Sequence, residues 1–421
     1  MFTLEKNVDA ENLKDTRWSA YLNYSLAAFA FFLPLSRSGI SVLVVVIPLL
    51  WIVEGQMKYK WNLLKQNKLF ISLFAYLGFI LLSFLWTENY LRAINSIRNY
   101  GHLLLIPVMM TSLRRQYLIW ILRAFAAGML TLLLLSLLNY SGIITIYSKV
   151  HSATPFMHHL DYSMMLSWSI ILAAYQFPVN FRKKQRFELY ALWGTLGIFG
   201  LIWLFVQNGR SGQFAIVVSF VFFFYTLFKE NQKKYFYIWI GFIILALVAI
   251  YKFTPLLERS VDQTRDHVER AMRGDYNTST GIRILTTRLV LDMIVHNPVI
   301  GYGAGDAMVV FSDWIYYEHT PDPSLSRAMR DVIFQIIGEN HFHNQYFQIL
   351  AELGIIGLFL FFSMFWYWYR GARDKTLAIL FILIFFTGFL VEPFMRNQIT
   401  SALISFFLGL IYKYDKNTFQ D

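Results

Sequence analysis

The chain has 421 residues, 57% of them hydrophobic and 15% charged, against roughly 25% charged in ordinary soluble domains, so water is not its main solvent. A formal charge of +11 invites a nucleic-acid reading, but the Lys and Arg residues fall mainly in short segments between apolar runs; the charge follows topology, and no nucleic-acid partner is expected. With no cysteine, disulfide frameworks and thiolate metal sites are excluded.

The first twenty residues are polar and charged (Glu5, Lys6, Asp9, Glu11, Lys14, Asp15, Arg17), unlike a cleavable signal peptide. The first apolar helix is therefore expected to serve as its own insertion signal. A helix needs roughly 20 mostly apolar residues to cross a bilayer. Twelve runs approach that length: 20–36, 39–54, 68–86, 95–112, 117–138, 160–178, 189–207, 212–228, 235–252, 345–368, 375–392 and 399–413. The aromatic content of 18% suits helices in lipid with amphipathic rings at both interfaces. Basic residues crowd every second loop: Lys58, Lys60, Lys65 and Lys68; Arg114 and Arg115; Arg182, Lys183, Lys184 and Arg186; Lys229, Lys233 and Lys234; Arg370, Arg373 and Lys375. The loops between hold isolated cases such as Arg37, Arg92, Lys149, Arg210 and Arg396. Short cytoplasmic loops collect positive charge, so both termini should be cytoplasmic. The expected fold is an all-α polytopic membrane protein, with nine spans in residues 1–252, a long external loop over 253–344, and three spans and a tail in 345–421.

Loops of that length usually carry function or structure of their own. Ser279 or Thr280 can cap a helix running through Arg283, Leu285, Leu289 and Met293 to His296, stopped by Asn297 and Pro298. A glycine turn follows at Gly301, Gly303 and Gly305, and a further amphipathic piece is expected over 324–338. No internal repeat is visible. The loop lacks lysine but holds Arg259, Arg265, Arg270, Arg273, Arg283, Arg288, Arg327 and Arg330. The rigid guanidinium fork suits phosphate, although pairing with the loop's own acids explains most of these residues. Arg283 stands apart because the expected cap places it in a first helical turn, where the dipole already favours an anion.

Arg210 occupies a very short external turn, Asn208-Gly209-Arg210-Ser211-Gly212, where a charge is costly unless used or paired. Headgroup snorkelling is the alternative. Glu392 and Arg396, four residues apart, read as a structural pair, and Glu352 should face the bundle interior. His158 and His159 open the sixth expected span with Asp161, and metal ligation there lacks a supporting motif. The densest polar cluster is Glu339-Asn340-His341-Phe342-His343-Asn344-Gln345, where the loop meets the tenth expected span. Asn344 can cap that helix, whose positive end helps keep a nearby imidazole neutral and able to act as a base. An interfacial histidine can equally be a hydrogen-bonded structural residue.

His343-Asn344, followed after nine residues by Gly354-Ile355-Ile356-Gly357, resembles the signature of O-antigen ligases. The turn at Arg210, Gly281-Ile282-Arg283 and the stretch from Asn297 to Gly305 lie in the order found in the O-antigen ligase and polymerase superfamily. The resemblance implies a variant of the class C glycosyltransferase fold in a bacterial inner membrane, with its active site at the periplasmic face. The implied donor is a glycan on undecaprenyl pyrophosphate, and the ligase acceptor is the lipid A core of lipopolysaccharide. By the same resemblance, His343 would activate the acceptor hydroxyl while Arg210 and Arg283 hold the departing pyrophosphate. His341 matches a further position of open role; with Arg288 and Asn344 it is a candidate for substrate binding. Two arginines can take the place of a divalent metal, so a metal-independent, inverting transfer with no cofactor is expected. Ligase is preferred on length and on the unbroken histidine-to-glycine signature. The alternatives are polymerase, a protein O-oligosaccharyltransferase, and, in a different class, a polysaccharide or lipid transporter, against which the lack of repeats argues.

Overall fold

The computed structural model describes residues 16–147, 151–182, 187–207, 209–227, 241, 255–319 and 341–414, and all regular structure among them is helical. The expected span over 235–252, save position 241, and the amphipathic piece over 324–338 lie outside the described residues. In chain order the helices are α1 (Arg17–Phe32), α2 (Arg37–Val53), α3 (Met57–Leu64), α4 (Lys68–Leu82), α5 (Tyr90–Tyr100), α6 (Leu105–Ser112), α7 (Arg115–Tyr140), α8 (His159–Arg182), α9 (Phe187–Val206) and α10 (Arg210–Leu227). The long loop contributes α11 (Pro255–Met272), α12 (Ser279–Ile294) and α13 (Ala307–His319); α14 (Gln345–Gly371), α15 (Lys375–Phe389) and α16 (Gln398–Lys413) follow.

Three described helices are long and apolar enough to cross a membrane: Lys68–Leu85, Arg115–Tyr140 and Gln345–Gly371. A fourth arises if α2 and α3, bent by 111°, count as one broken span. The run expected over 95–112 is not one helix. It divides into α5, a 3-10 turn at Gly101–Leu104, and α6, because Asn95, Arg98 and Asn99 make α5 polar while Gly101 and Pro107 interrupt the apolar half.

Apolar area alone cannot hold helices together in lipid; small residues and buried polar groups must do so. Gly128 of α7 sits so close to α1 that a Cβ there would lie 2.3 Å from the Phe31 carbonyl oxygen. Ser167 Oγ of α8 donates to the Gly212 carbonyl of α10 at 2.8 Å. Around these contacts lies an aromatic core in which Trp168 packs edge-on against Phe381 at 5.0 Å and Phe407 at 5.2 Å.

The helix ends sort into two polar sets. At the end rich in basic residues, Lys60 pairs with Glu54 at 2.8 Å, Asn67 Nδ2 donates to Tyr412 Oη at 2.6 Å, and Gln176 Nε2 donates to Tyr414 Oη at 2.9 Å. At the other end, Gln398 Nε2 donates to the Arg37 carbonyl at 3.2 Å, Asn397 Nδ2 to Asp161 Oδ1 at 3.1 Å, and Asn344 Nδ2 to the Leu390 carbonyl at 3.2 Å. These are the segments that basic-residue alternation assigns to two different sides.

The long loop folds onto this second end. Its own apolar core joins Ile282, Leu285, Val290 and Met293 of α12 to Phe311 and Ile315 of α13 and to Phe342. The docking point is a break in α14, where Gly354 adopts φ 62°, ψ −165°, a conformation essentially restricted to glycine. The helical ladder stops there. The stretch from Pro298 to Gly303 takes its place: Ile355 and Ile356 donate to the Pro298 and Val299 carbonyls at 2.8 and 3.3 Å, while the Ala351 and Glu352 carbonyls accept from Tyr302 and Gly303 at 2.9 Å each. Irregular backbone beside a membrane helix persists only when its polar groups are satisfied in this way. A Cβ at Gly354 would meet the Val299 carbonyl oxygen at 2.2 Å.

Candidate active site

His341, Phe342 and His343 lie in a bent segment just before α14, and the bends send the phenyl ring and the two imidazoles to different sides. Phe342 enters the loop core, 1% exposed and edge-on to Phe311 at 5.0 Å. The two imidazoles consequently face the other way, stacked edge to face with ring centroids 4.5 Å apart. His343 has φ 53°, an uncommon backbone state for a non-glycine residue that clusters at functional sites. Asn344 caps α14 as expected, its Oδ1 accepting from the Tyr346 and Phe347 amides at 2.8 and 3.1 Å. Gln345 pins the turn beyond α15, its Oε1 accepting from Met395 N at 2.9 Å.

That turn carries Glu392. His341 Nε2 lies 3.2 Å from its Oε1 and His343 Nδ1 lies 3.4 Å from its Oε2. Burial pushes the Glu392 carboxyl up, but the His343 hydrogen bond and the nearby charges of His341, His343 and Arg283 outweigh it and hold the group below its usual value. The carboxylate thus stays ionised, and its Oε2 is placed to accept from His343 Nδ1. The expected pairing of Glu392 with Arg396 does not occur. Pro393 and a 3-10 turn over Phe394–Arg396 replace the α-helix on which a spacing of four would bring them together. Arg396 Nη1 instead contacts Glu352 Oε1 at 3.2 Å. Glu352 is buried as expected, and also accepts from Gln348 Nε2 at 3.0 Å and Gly305 N at 3.3 Å.

Arg283 lies close enough to act electrostatically on both Glu392 and His159. Its helix is capped by Thr278, whose side chain accepts from Gly281 N at 2.9 Å, rather than by Ser279 or Thr280. The shift places Arg283 at the start of the second turn, where the helix dipole contributes less. Arg288, five residues on, points about 140° around the same helix and is exposed. Arg210 opens α10 and is exposed. Its turn is pressed against the head of α8: Ser211 Oγ and Ser163 Oγ are 3.4 Å apart, and a Cβ at Gly212 would lie 2.5 Å from the Ser163 carbonyl. One turn back, α8 begins with His159, whose ring centroid is 4.2 Å from that of His158. Asp161 beside them is buried and accepts from Asn397 and Thr400, so it is a structural acceptor rather than a metal ligand. Among the described residues, the group with donors placed for a metal ion is His341, His343 and Glu392.

Residues 193–362 match the family described as O-antigen ligase. This stretch is similar to O-antigen ligases. Members of that family are membrane glycosyltransferase-like enzymes, of ligase or polymerase type. No curated protein matches the chain. The matched stretch contains Arg210, Arg283, His341 and His343, together with both halves of the Gly301–Gly354 docking; Glu392 and Asp161 reach the cluster from outside it. Glu392 was the residue that sequence reasoning misassigned. A signal was available: an acid at the C-terminal end of an apolar run, directly followed by proline, has no helix on which to find an i,i+4 partner.

Proposed function

We propose that this protein is an O-antigen ligase, transferring a glycan from undecaprenyl pyrophosphate to a sugar hydroxyl of the lipid A core at the periplasmic face of the inner membrane. The observation that carries this reading is the His343–Glu392 contact beside Arg283, at the bundle end opposite the basic loops. In the proposed reaction His343 Nε2 removes the acceptor hydroxyl proton as the oxygen attacks the anomeric carbon. The bond from that carbon to the pyrophosphate oxygen breaks, and Arg283 and Arg210 stabilise the departing anion. Glu392 stabilises the imidazolium that forms. A single displacement inverts the anomeric centre, and base and guanidinium groups supply the charge stabilisation without a metal. His341 and Asn344 shape the acceptor side, and Arg288 engages the donor from its outward position. Twelve spans in a class C-like arrangement, with both termini cytoplasmic, are consistent with the sorting of helix ends into two sets.

Complementation tests the assignment. In strains lacking either the ligase or the polymerase, restored attachment of long chains to lipid A core supports ligase; restored chain length with no effect on attachment reassigns the protein as the polymerase. An unchanged ladder in both backgrounds overturns both readings.

A further inference from the structure

We infer that His341, His343 and Glu392 form a binding site for a divalent transition metal of the zinc class, and that occupation of this site switches the base off. The inference rests on the proposed role of His343. Donor type argues for it first: two imidazoles and one carboxylate form a set that zinc takes with a further position left open, and imidazole is a poor ligand for magnesium or calcium. Geometry argues for it independently. Zinc bonds of roughly 2.0–2.1 Å in a tetrahedron place neighbouring donors about 3.3 Å apart. Here His341 Nε2 lies 3.2 Å from one oxygen of Glu392 and His343 Nδ1 lies 3.4 Å from the other, and one donor atom from each of the three residues lies within 4.8 Å of the other two, a set that small side-chain rotations bring to that spacing.

The ligand atoms explain why binding inhibits. A metal on His343 Nδ1 takes the position of the proton that Glu392 otherwise holds. The remaining proton of a neutral imidazole then sits on Nε2, which becomes a donor and can no longer accept from the acceptor sugar. Glu392, committed to the metal, no longer stabilises an imidazolium. Arg283 opposes a second cation beside it, which makes this a reversible site of moderate affinity.

The test uses full-length protein in lipid nanodiscs, titrated with Co2+ as a coloured substitute for Zn2+. The expected result is one equivalent bound, with the visible absorption of a four-coordinate site that Zn2+ displaces. His341→Ala and Glu392→Gln each weaken that binding by more than about tenfold, with circular dichroism unchanged. Zn2+ in the same range stops transfer by the wild type, and EDTA restores it. Absence of stoichiometric Co2+ absorption in the wild type, or a spectrum unchanged in both variants, overturns the metal site; the base reading then still stands or falls on the activity of His343→Ala. Stoichiometric metal with undiminished transfer overturns the switch and the base assignment together.

Discussion

Glu54 and Glu392 sit at opposite ends of the helix bundle and are withdrawn from solvent to the same degree, 5% exposed each, yet they keep different company. Glu54 is saturated. Lys60 meets it at 2.8 Å from a fully buried position, Ser19 Oγ donates to one oxygen at 2.6 Å, Ser112 Oγ donates to the other, and Lys60 Nζ also donates to the Trp51 carbonyl at 2.7 Å. Glu392 faces two imidazoles whose side chains are 24% and 16% exposed. An ammonium offers a carboxylate only donors, whereas a neutral imidazole offers a donor and an acceptor nitrogen. The same buried carboxylate is therefore a clamp where its partners are a buried ammonium and two hydroxyls, and part of the proposed proton-handling site where they are imidazoles that reach solvent. Burial alone does not distinguish the two, and the identity and openness of the partners does.

Substitutions at both carboxylates and their neighbours can break this contrast. The largest effect is expected from His343→Ala, which should lower transfer by roughly 10²–10⁴-fold with the protein still folded in the membrane, measured as glycan transfer per mole of purified enzyme. Transfer near the wild-type rate would remove the proposed base. Glu54→Gln should leave the rate per folded molecule unchanged but cost about 3–5 kcal/mol of stability, because it strands a buried Lys60; thermal unfolding in detergent reads this directly. At the other end the outcome should reverse. Glu392→Gln keeps the shape and lowers the rate by about 10²-fold, with a smaller loss of stability, and equal behaviour of the two glutamine variants would dissolve the distinction.

Gly354→Ala tests how the site is held rather than its chemistry. Its backbone state costs a non-glycine residue about 1–3 kcal/mol before the close approach to Val299 is counted, so loop docking should loosen. Proteolysis of the 253–344 loop should quicken while the far-end Glu54 cluster stays protected. The smallest effect is in acid stability. Because the folded-state value of Glu392 is depressed, its contribution is fully present above the ordinary carboxylate value and is lost as pH falls through the folded value. Unfolding temperature measured down to acidic pH should show that loss in the wild type and not in Glu392→Gln.

Much of the fold was readable from composition. Eleven of the twelve expected apolar runs fall on described helices, since a long apolar stretch in lipid has helix as its satisfied backbone state. The exception in kind was 95–112, where apolar content masked a polar first half and a break. In the loop, α12 was placed to within two residues at each end by its capping and stop signals, whereas α11 and α13 were not foreseen. Their apolar faces acquire meaning only when Phe311 meets Phe342. Asn344 was legible because capping is local. The partners of Arg396 and Glu392 were not, because spacing along the chain was a poor guide once the segment left helical geometry.

By itself the sequence determined which stretches become helices, which ends gather positive charge, and which residue types are concentrated where the loop meets the bundle, because each follows from the local chemistry of a few neighbouring residues. Only the tertiary structure decided that a glycine break in α14 receives Pro298–Gly303, and that Glu392 turns to two histidines instead of to Arg396. Those choices join positions about fifty residues apart, and they depend on how whole helices pack, which no local pattern encodes.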